Sequence, residues 1–102
     1  MDILPDPIAF EWDKGNIYKN LKKHQITIQE AEELFSNEPF TIVEDVKHST
    51  VIENRFQGLG KTNTNRKLFV VFTIRNDKIR IISVRDMSRK EEAIYEKFET
   101  NS

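Results

Sequence analysis

The stretch Lys78–Ser88, KIRIISVRDMS, decides how this chain is read. Ile79, Ile81, Ile82 and Val84 make it a strand with residues to bury, yet Arg80 and Arg85 interrupt the run. Just upstream, Leu68–Arg75 (LFVVFTIR) is the most apolar segment and reads as the middle strand of a sheet. Asn76-Asp77 between the two is a two-residue hairpin turn. That turn sets Arg75 opposite Lys78, Ile74 opposite Ile79, Thr73 opposite Arg80 and Phe69 opposite Val84. Alternation then places Thr73, Arg75, Lys78 and Arg80 on one side of the sheet, and Ser83 and Arg85 on the other with Phe72 and Ile81. A bulge would change that division.

Outward from this hairpin, Phe40–Val46 and Val51–Phe56 read as two strands joined through Lys47–Thr50. Gly58–Lys67 reads as a mobile polar loop. Its Gly60-Lys61-Thr62 is no nucleotide-binding loop, because the position five residues before Gly60 holds Arg55 instead of glycine. Ile8–Trp12 is a short strand. Asp13 is a suitable N-cap for a helix to about His24, with Ile17 and Leu21 as its apolar stripe. Thr27 and Glu30 form a capping box for a second helix to about Phe35, with Ile28, Ala31, Leu34 and Phe35 turned inward. Glu30, Glu32 and Glu33 read as its solvated face. Ser88 and Glu91 form a second capping box, opening a last helix to about Phe98 with Ala93, Ile94 and Phe98 inward. The order β-α-α-β-β-β-β-α predicts an α+β fold: a compact, mostly antiparallel sheet with N-terminal helices and a C-terminal helix. One domain over residues 1–102 is expected, with residues 1–7 a loose arm.

Composition narrows the function classes. The chain has 102 residues and no cysteine, which excludes disulfides and thiolate metal sites. Its two histidines are far apart, so no metal or other cofactor is expected. No apolar run approaches the roughly 18 residues of a membrane helix, and the start lacks the pattern of a signal peptide; no membrane partner and a cytoplasmic location are the expectation. Net charge is −1, but residues 1–54 carry 5 Lys/Arg against 11 Asp/Glu, whereas residues 55–102 carry 11 against 6. A basic second half points to a surface for polyanions. Arginine suits phosphate because its planar fork donates two parallel hydrogen bonds. The competing reading is that these residues only snorkel over the sheet edge.

Four segments together resemble a known family: Phe10–His24 (FEWDKGNIYKNLKKH), Ile26–Phe35 (ITIQEAEELF), Glu53–Phe56 (ENRF) and Arg80–Glu96 (RIISVRDMSRKEEAIYE). They are similar to the BrnT toxins in the order and spacing of Phe10, Trp12, Asp13, Asn20, Lys23, His24, Ala31, Phe35, Glu53, Arg55, Phe56, Arg80–Arg85, Glu91 and Tyr95. The family has glycine after its Lys-His pair. Here Gln25 follows, so the first helix is expected to end without a left-handed C-cap residue. The resemblance implies a RelE-like fold and a ribonuclease that suppresses translation as the toxin of a type II toxin–antitoxin system. It also implies a BrnA-like antitoxin with a ribbon-helix-helix DNA-binding region, operator DNA bound only through that antitoxin, and room for a dimer within the complex.

RNA is cut without metal when its own 2′-hydroxyl is activated against the adjacent phosphate, which takes a base, an acid and cations around the developing charge. His24 and Glu53 are candidate bases. Arg55, Arg80 and Arg85 are candidate catalytic clamps, and Tyr95 is a candidate hydrogen-bond donor or base-stacking residue. Lys23, Arg75 and Lys78 are candidate RNA-binding residues. His24 equally suits a helix C-terminus, and Tyr95 a packing role. The rival to an endoribonuclease is a non-catalytic module that binds RNA or protein.

Overall fold

The structure, a computed structural model, describes residues 3–12, 15–45 and 54–101. Its elements are β1 (Phe10–Glu11), α1 (Asn16–His24), α2 (Ile28–Glu33), β2 (Thr41–Asp45), β3 (Arg55–Lys61), β4 (Lys67–Arg75), β5 (Lys78–Asp86) and α3 (Arg89–Thr100). The strands form one sheet in the order β1-β5-β4-β3-β2. Three pairings are antiparallel, but β1 runs parallel to β5, with Phe10 beside Ile79 and Glu11 beside Arg80. The sheet is therefore mixed, which corrects the expectation of a mostly antiparallel one. A two-residue strand 69 positions from its partner residues carries no local signal of its direction.

The hairpin forms as expected at its tip. Asn76 and Asp77 both have positive φ (53° and 60°), the backbone of a tight hairpin turn, and Arg75, Ile74 and Thr73 pair with Lys78, Ile79 and Arg80. Further along, the register slips. Phe72 pairs with Ile81 but Val71 with Ser83, so Ile82 is an extra residue on β5. The cause lies in spacing. Ile79, Ile81 and Val84 are all buried with Val70 and Phe72, yet Ile81 and Val84 are three residues apart, and only an inserted residue lets both face the core. Phe69 consequently pairs with Arg85 rather than Val84. Arg85 moves to the same sheet face as Arg80, reversing the predicted division of the two arginines. Beyond Arg80, where β1 has ended, the Val84 N–H donates to Asn20 Oδ1 of α1 (2.8 Å), which satisfies a donor at the open strand edge.

The core lies between one sheet face and the first two helices. Ile17 and Leu21 of α1, and Ala31, Leu34 and Phe35 of and after α2, pack on Leu68, Val70, Phe72, Ile79 and Val84. Phe35 is the hub of an aromatic cluster, with ring centroids 5.5 Å from Phe10, 4.7 Å from Phe40 and 5.0 Å from Phe72. Ile28, expected inward, is 36% exposed. Trp12 donates its indole N–H to Glu32 Oε2 (2.7 Å), and Glu33 Oε1 accepts from Asn63 N (2.9 Å), so two of the three glutamates of α2 tie neighbouring segments together. Leu4 packs against the core, so the N-terminal arm is anchored.

Gly58–Lys61, expected as mobile loop, belongs to β3, and the connection to β4 is short and organised. Thr62 Oγ1 accepts from the backbone N–H of Arg66 (3.0 Å), and Asn37 Nδ2 donates to Lys61 O (2.9 Å). The two glycines of β3 are there for close approach. A Cβ on Gly58 would lie 2.6 Å from Phe40 Cζ, and one on Gly60 would lie 2.8 Å from Phe40 Cδ1. The helix α1 begins after Gly15, and the expected N-cap Asp13 lies outside the described residues. At its other end Gln25 adopts the left-handed region (φ 54°, ψ 48°), with Gln25 N donating to Lys22 O and Ile26 N to Leu21 O. The expectation of a missing left-handed cap is overturned: glutamine occupies it.

The last helix reverses the predicted inward face. Both bonds of the Ser88–Glu91 capping box are present, but Ile94 and Phe98 are 41% and 45% exposed while Tyr95 is buried. The reason is the surface beneath. The helix packs on the sheet face opposite the core, where it meets Lys61, Lys67 and Arg85, so its carboxylates point inward. Lys61 Nζ reaches Glu99 (3.2 Å), Lys67 Nζ reaches Glu96 (3.4 Å), and Arg85 grips both oxygens of Glu91 (2.8 and 2.9 Å). Arg85 also stacks over the Phe69 ring at 4.1 Å. The guanidinium of Arg85, helped by the Ser88 backbone N–H, holds the Glu91 carboxyl below its ordinary value.

Three outcomes test this account. Gly58→Ala is expected to destabilise the fold by about 1–3 kcal/mol through overpacking against Phe40; an unchanged denaturation midpoint would refute that contact. Gln25→Gly is expected to raise thermal stability by about 0.5–1 kcal/mol, since relief of the left-handed strain outweighs glycine's entropy. Because the Glu91 carboxyl is depressed in the folded state, its contribution is present above about pH 4.3 and is lost as pH falls through the lower folded value. Glu91→Gln should therefore be less stable than the parent at pH 7, with the gap narrowing in thermal melts as pH is lowered below about 4.3.

Candidate functional site

The face of the sheet opposite the core carries a row of polar residues that crosses the strands. The parallel register sets Glu11 of β1 beside Arg80 of β5, and the hairpin register sets Arg80 opposite Thr73 of β4. Phe56 pairs with Phe72, so Arg55 comes next to Thr73 one step along that ladder, and Thr73 Oγ1 donates to the neighbouring Asn54 O (2.7 Å). Asp45 of β2 is the register partner of Arg55. Glu11, Arg80, Thr73 and Arg55 alternate with Phe10, Ile79, Phe72 and Phe56, which belong to or pack against the core, and this fixes those four to the outer face. With strands about 4.8 Å apart, the Arg55 and Arg80 backbones are ~10 Å from each other.

Arg55 and Arg80 are each half-buried, and both have interaction partners, so neither is an isolated cation. Arg75 and Lys78 pair at the exposed hairpin end, on the same face and two residues farther along β4 and β5. The structure thus brings together four of the cationic residues singled out from the sequence: Arg55, Arg80, Arg75 and Lys78. Among the described residues, α1 and α2 lie on the core face and α3 packs toward the other end of the outer face. Guanidinium forks on a sheet face can bind successive phosphates and balance charge that develops on one of them.

The other candidates are elsewhere. Arg85 shares the face but is committed to Glu91 and Phe69, where it docks α3. Tyr95 is fully buried, and its hydroxyl donates to Pro39 O at 2.6 Å. Burial pushes its pKa up to about 12, and no ring face is presented on which a base could stack. His24 and Lys23 end α1, near Asp86. That is six residues along β5 from Arg80, about 20 Å. The His24 carbonyl accepts from Arg66 Nη2 (2.9 Å) and the Gln25 carbonyl from Arg66 Nη1 (2.8 Å), while the same guanidinium pairs with both oxygens of Asp86 (2.9 and 3.0 Å). Arg66 therefore clamps the end of α1 to β5, and it holds the Asp86 carboxyl below its ordinary value. Glu53 lies outside the described residues.

Two positions of this arrangement carry no signal in the sequence. Arg66 was hidden in a segment read as loop. Glu11 reaches the row only through the parallel pairing of β1 with β5, a contact between residues 69 positions apart in the chain. Among the described residues, no group of three or more His, Asp or Glu could hold a metal ion, and no helix is long and apolar enough to cross a membrane.

Comparison with known proteins agrees with the motifs. No curated protein matches the chain. The model of the BrnT family, described as the ribonuclease toxin of a type II toxin–antitoxin system, matches residues 12–91. That span takes in α1, α2, β2 to β5, the cross-strand arginines and the capping box of α3. It covers well over half of the 102 residues, and the chain belongs to the BrnT family of ribonuclease toxins, whose members are paired with an antitoxin.

Proposed function

We propose that this toxin is a metal-independent endoribonuclease that suppresses translation in the cytoplasm by cutting single-stranded RNA laid across the outer sheet face. The observation that carries this reading is the cross-strand row of Arg80, Thr73 and Arg55. Arg55 and Arg80 bind the scissile phosphate and offset the charge that builds on it during attack by the 2′-hydroxyl. Arg75 and Lys78 guide the strand along the hairpin end. Arg85 contributes indirectly, by holding α3 in place. The mixed sheet with helices on both faces supports kinship with the RelE toxins.

The antitoxin in this reading is BrnA-like, with a ribbon-helix-helix region that carries the complex to operator DNA, and it assembles with the toxin as a dimer. An acidic or amphipathic segment laid over the arginine face would exclude RNA sterically and compensate its charge.

Purified toxin should cut a synthetic single-stranded RNA in the presence of EDTA. Arg80→Ala should lower cleavage by roughly 10²–10³ with the fold intact, as expected for removing one stabiliser of the transition-state charge. Its binding to a non-cleavable strand should fall less steeply with salt, the log–log slope shrinking by about 0.7 for one lost phosphate contact. Undiminished cleavage by Arg80→Ala would remove this face from the reaction, and cleavage that EDTA abolishes would overturn the metal-independent route.

A further inference from the structure

The row contains one acid whose position the phosphate clamps do not explain. Glu11 is the edge residue of the outer face, the register neighbour of Arg80. Its Oε2 is buried and has no hydrogen-bond partner, which makes it the one such side-chain atom among the described residues. A buried acceptor without a donor costs free energy, and native structures keep few of them. The chain holds Glu11 there firmly. Phe10 packs its ring against Phe35 at 5.5 Å, the Trp12 indole donates to Glu32 (2.7 Å), and the backbone N–H of Ile79 donates to Ala9 O (2.8 Å). With Phe10 and Trp12 turned into the core, Glu11 has no freedom to turn away from the arginine face. Because Glu11 is the register neighbour of Arg80, an RNA strand held by Arg80 would pass beside this carboxylate.

We infer that Glu11 is the group that accepts the proton of the attacking 2′-hydroxyl. The inference rests on the ribonuclease reading of this face. In the step it describes, the 2′ O–H bond breaks and its proton passes to the Glu11 carboxylate. The 2′-oxygen bonds to the adjacent phosphorus as the P–O5′ bond breaks, and the leaving 5′-oxygen takes a proton from water. Products are a 2′,3′-cyclic phosphate and a 5′-hydroxyl, and Glu11 then returns its proton to solvent. Nothing is oxidised or reduced. Arg80, one strand away, balances the negative charge on the phosphate while the carboxylate becomes neutral.

The test is a split between cleavage and binding. Cleavage of an end-labelled single-stranded RNA is measured in EDTA, and binding is measured with the same sequence carrying a 2′-deoxy nucleotide at each cut site. Glu11→Gln, which keeps the side chain's size, should lose roughly 10²–10⁴ in kcat, the usual contribution of a general base. Its KM and its affinity for the deoxy strand should stay within about threefold of the parent. A residual product ending in 2′,3′-cyclic phosphate from the parent enzyme supports the same step. Should Glu11→Gln fail to fold by thermal melt, Glu11→Asp decides: a lowered kcat at unchanged KM supports the role, and parental kcat overturns it. Parental cleavage by Glu11→Gln, or cleavage and binding lost in equal measure, also overturns it while leaving the ribonuclease reading standing. A parent protein that cuts no RNA sinks both.

Discussion

The spacing of three buried residues on β5 constrains the rest of this molecule. Ile79, Ile81 and Val84 must all enter the core, and an ideal strand cannot deliver them, because Val84 stands an odd number of positions from Ile81. The bulge at Ile82 resolves the conflict by inserting one residue. Arg80, Ser83 and Arg85 then share the outer face. Arg80 lies before the bulge and Arg85 after it, and the two end up on one side although they are five residues apart. Without the extra residue Arg85 would point to the core face of the sheet, where an unpaired guanidinium's desolvation would be severe.

The outer face is divided between the two arginines. At one end Arg85 is gripped by Glu91 and backed by Phe69, so α3 is attached through charge and a cation–π contact. The same end carries the pairs of Lys61 and Lys67 with Glu99 and Glu96. These partly exposed pairs individually stabilise little. Their larger effect is on orientation. They set which side of α3 looks inward, with Tyr95 as the buried pin and its hydroxyl on Pro39 O. At the other end, the row of Glu11, Arg80, Thr73 and Arg55 crosses four strands and sets an acid beside cations, with the buried Thr73 hydroxyl tied to Asn54 O. Groups on paired strands are held more precisely than groups on loops.

Arg66 binds the two layers together. Its guanidinium reaches the last carbonyls of α1 and the Asp86 carboxylate at the end of β5. It therefore anchors the helix that packs under the bulge, and Asn20 of that helix supplies the acceptor for Val84 N–H. The Lys23-His24 end of α1 is explained by this clamp as much as by any contact with RNA. The family resemblance marks these positions, and the geometry ties the backbone of His24 to the architecture.

Local physics made much of this protein legible in its sequence. The two capping boxes, the tight turn at Asn76-Asp77, the central β4 strand and the element order follow from short-range rules, because the groups that satisfy one another lie within four residues. The clustering of Arg75, Lys78 and Arg80 also followed from alternation and one turn, whereas Arg55 joins them only through the pairing of β3 with β4. Tertiary structure decided the rest. Gly58 and Gly60 read as loop until Phe40 is seen against them, and α3 shows its inward face only over a charged sheet. Gln25 takes a left-handed cap that glycine would have announced. Glu11 joins Arg80 because β1 docks parallel on β5 across most of the chain, and pairings of that range are set by burial of Phe10 in the core, which no neighbouring residue encodes.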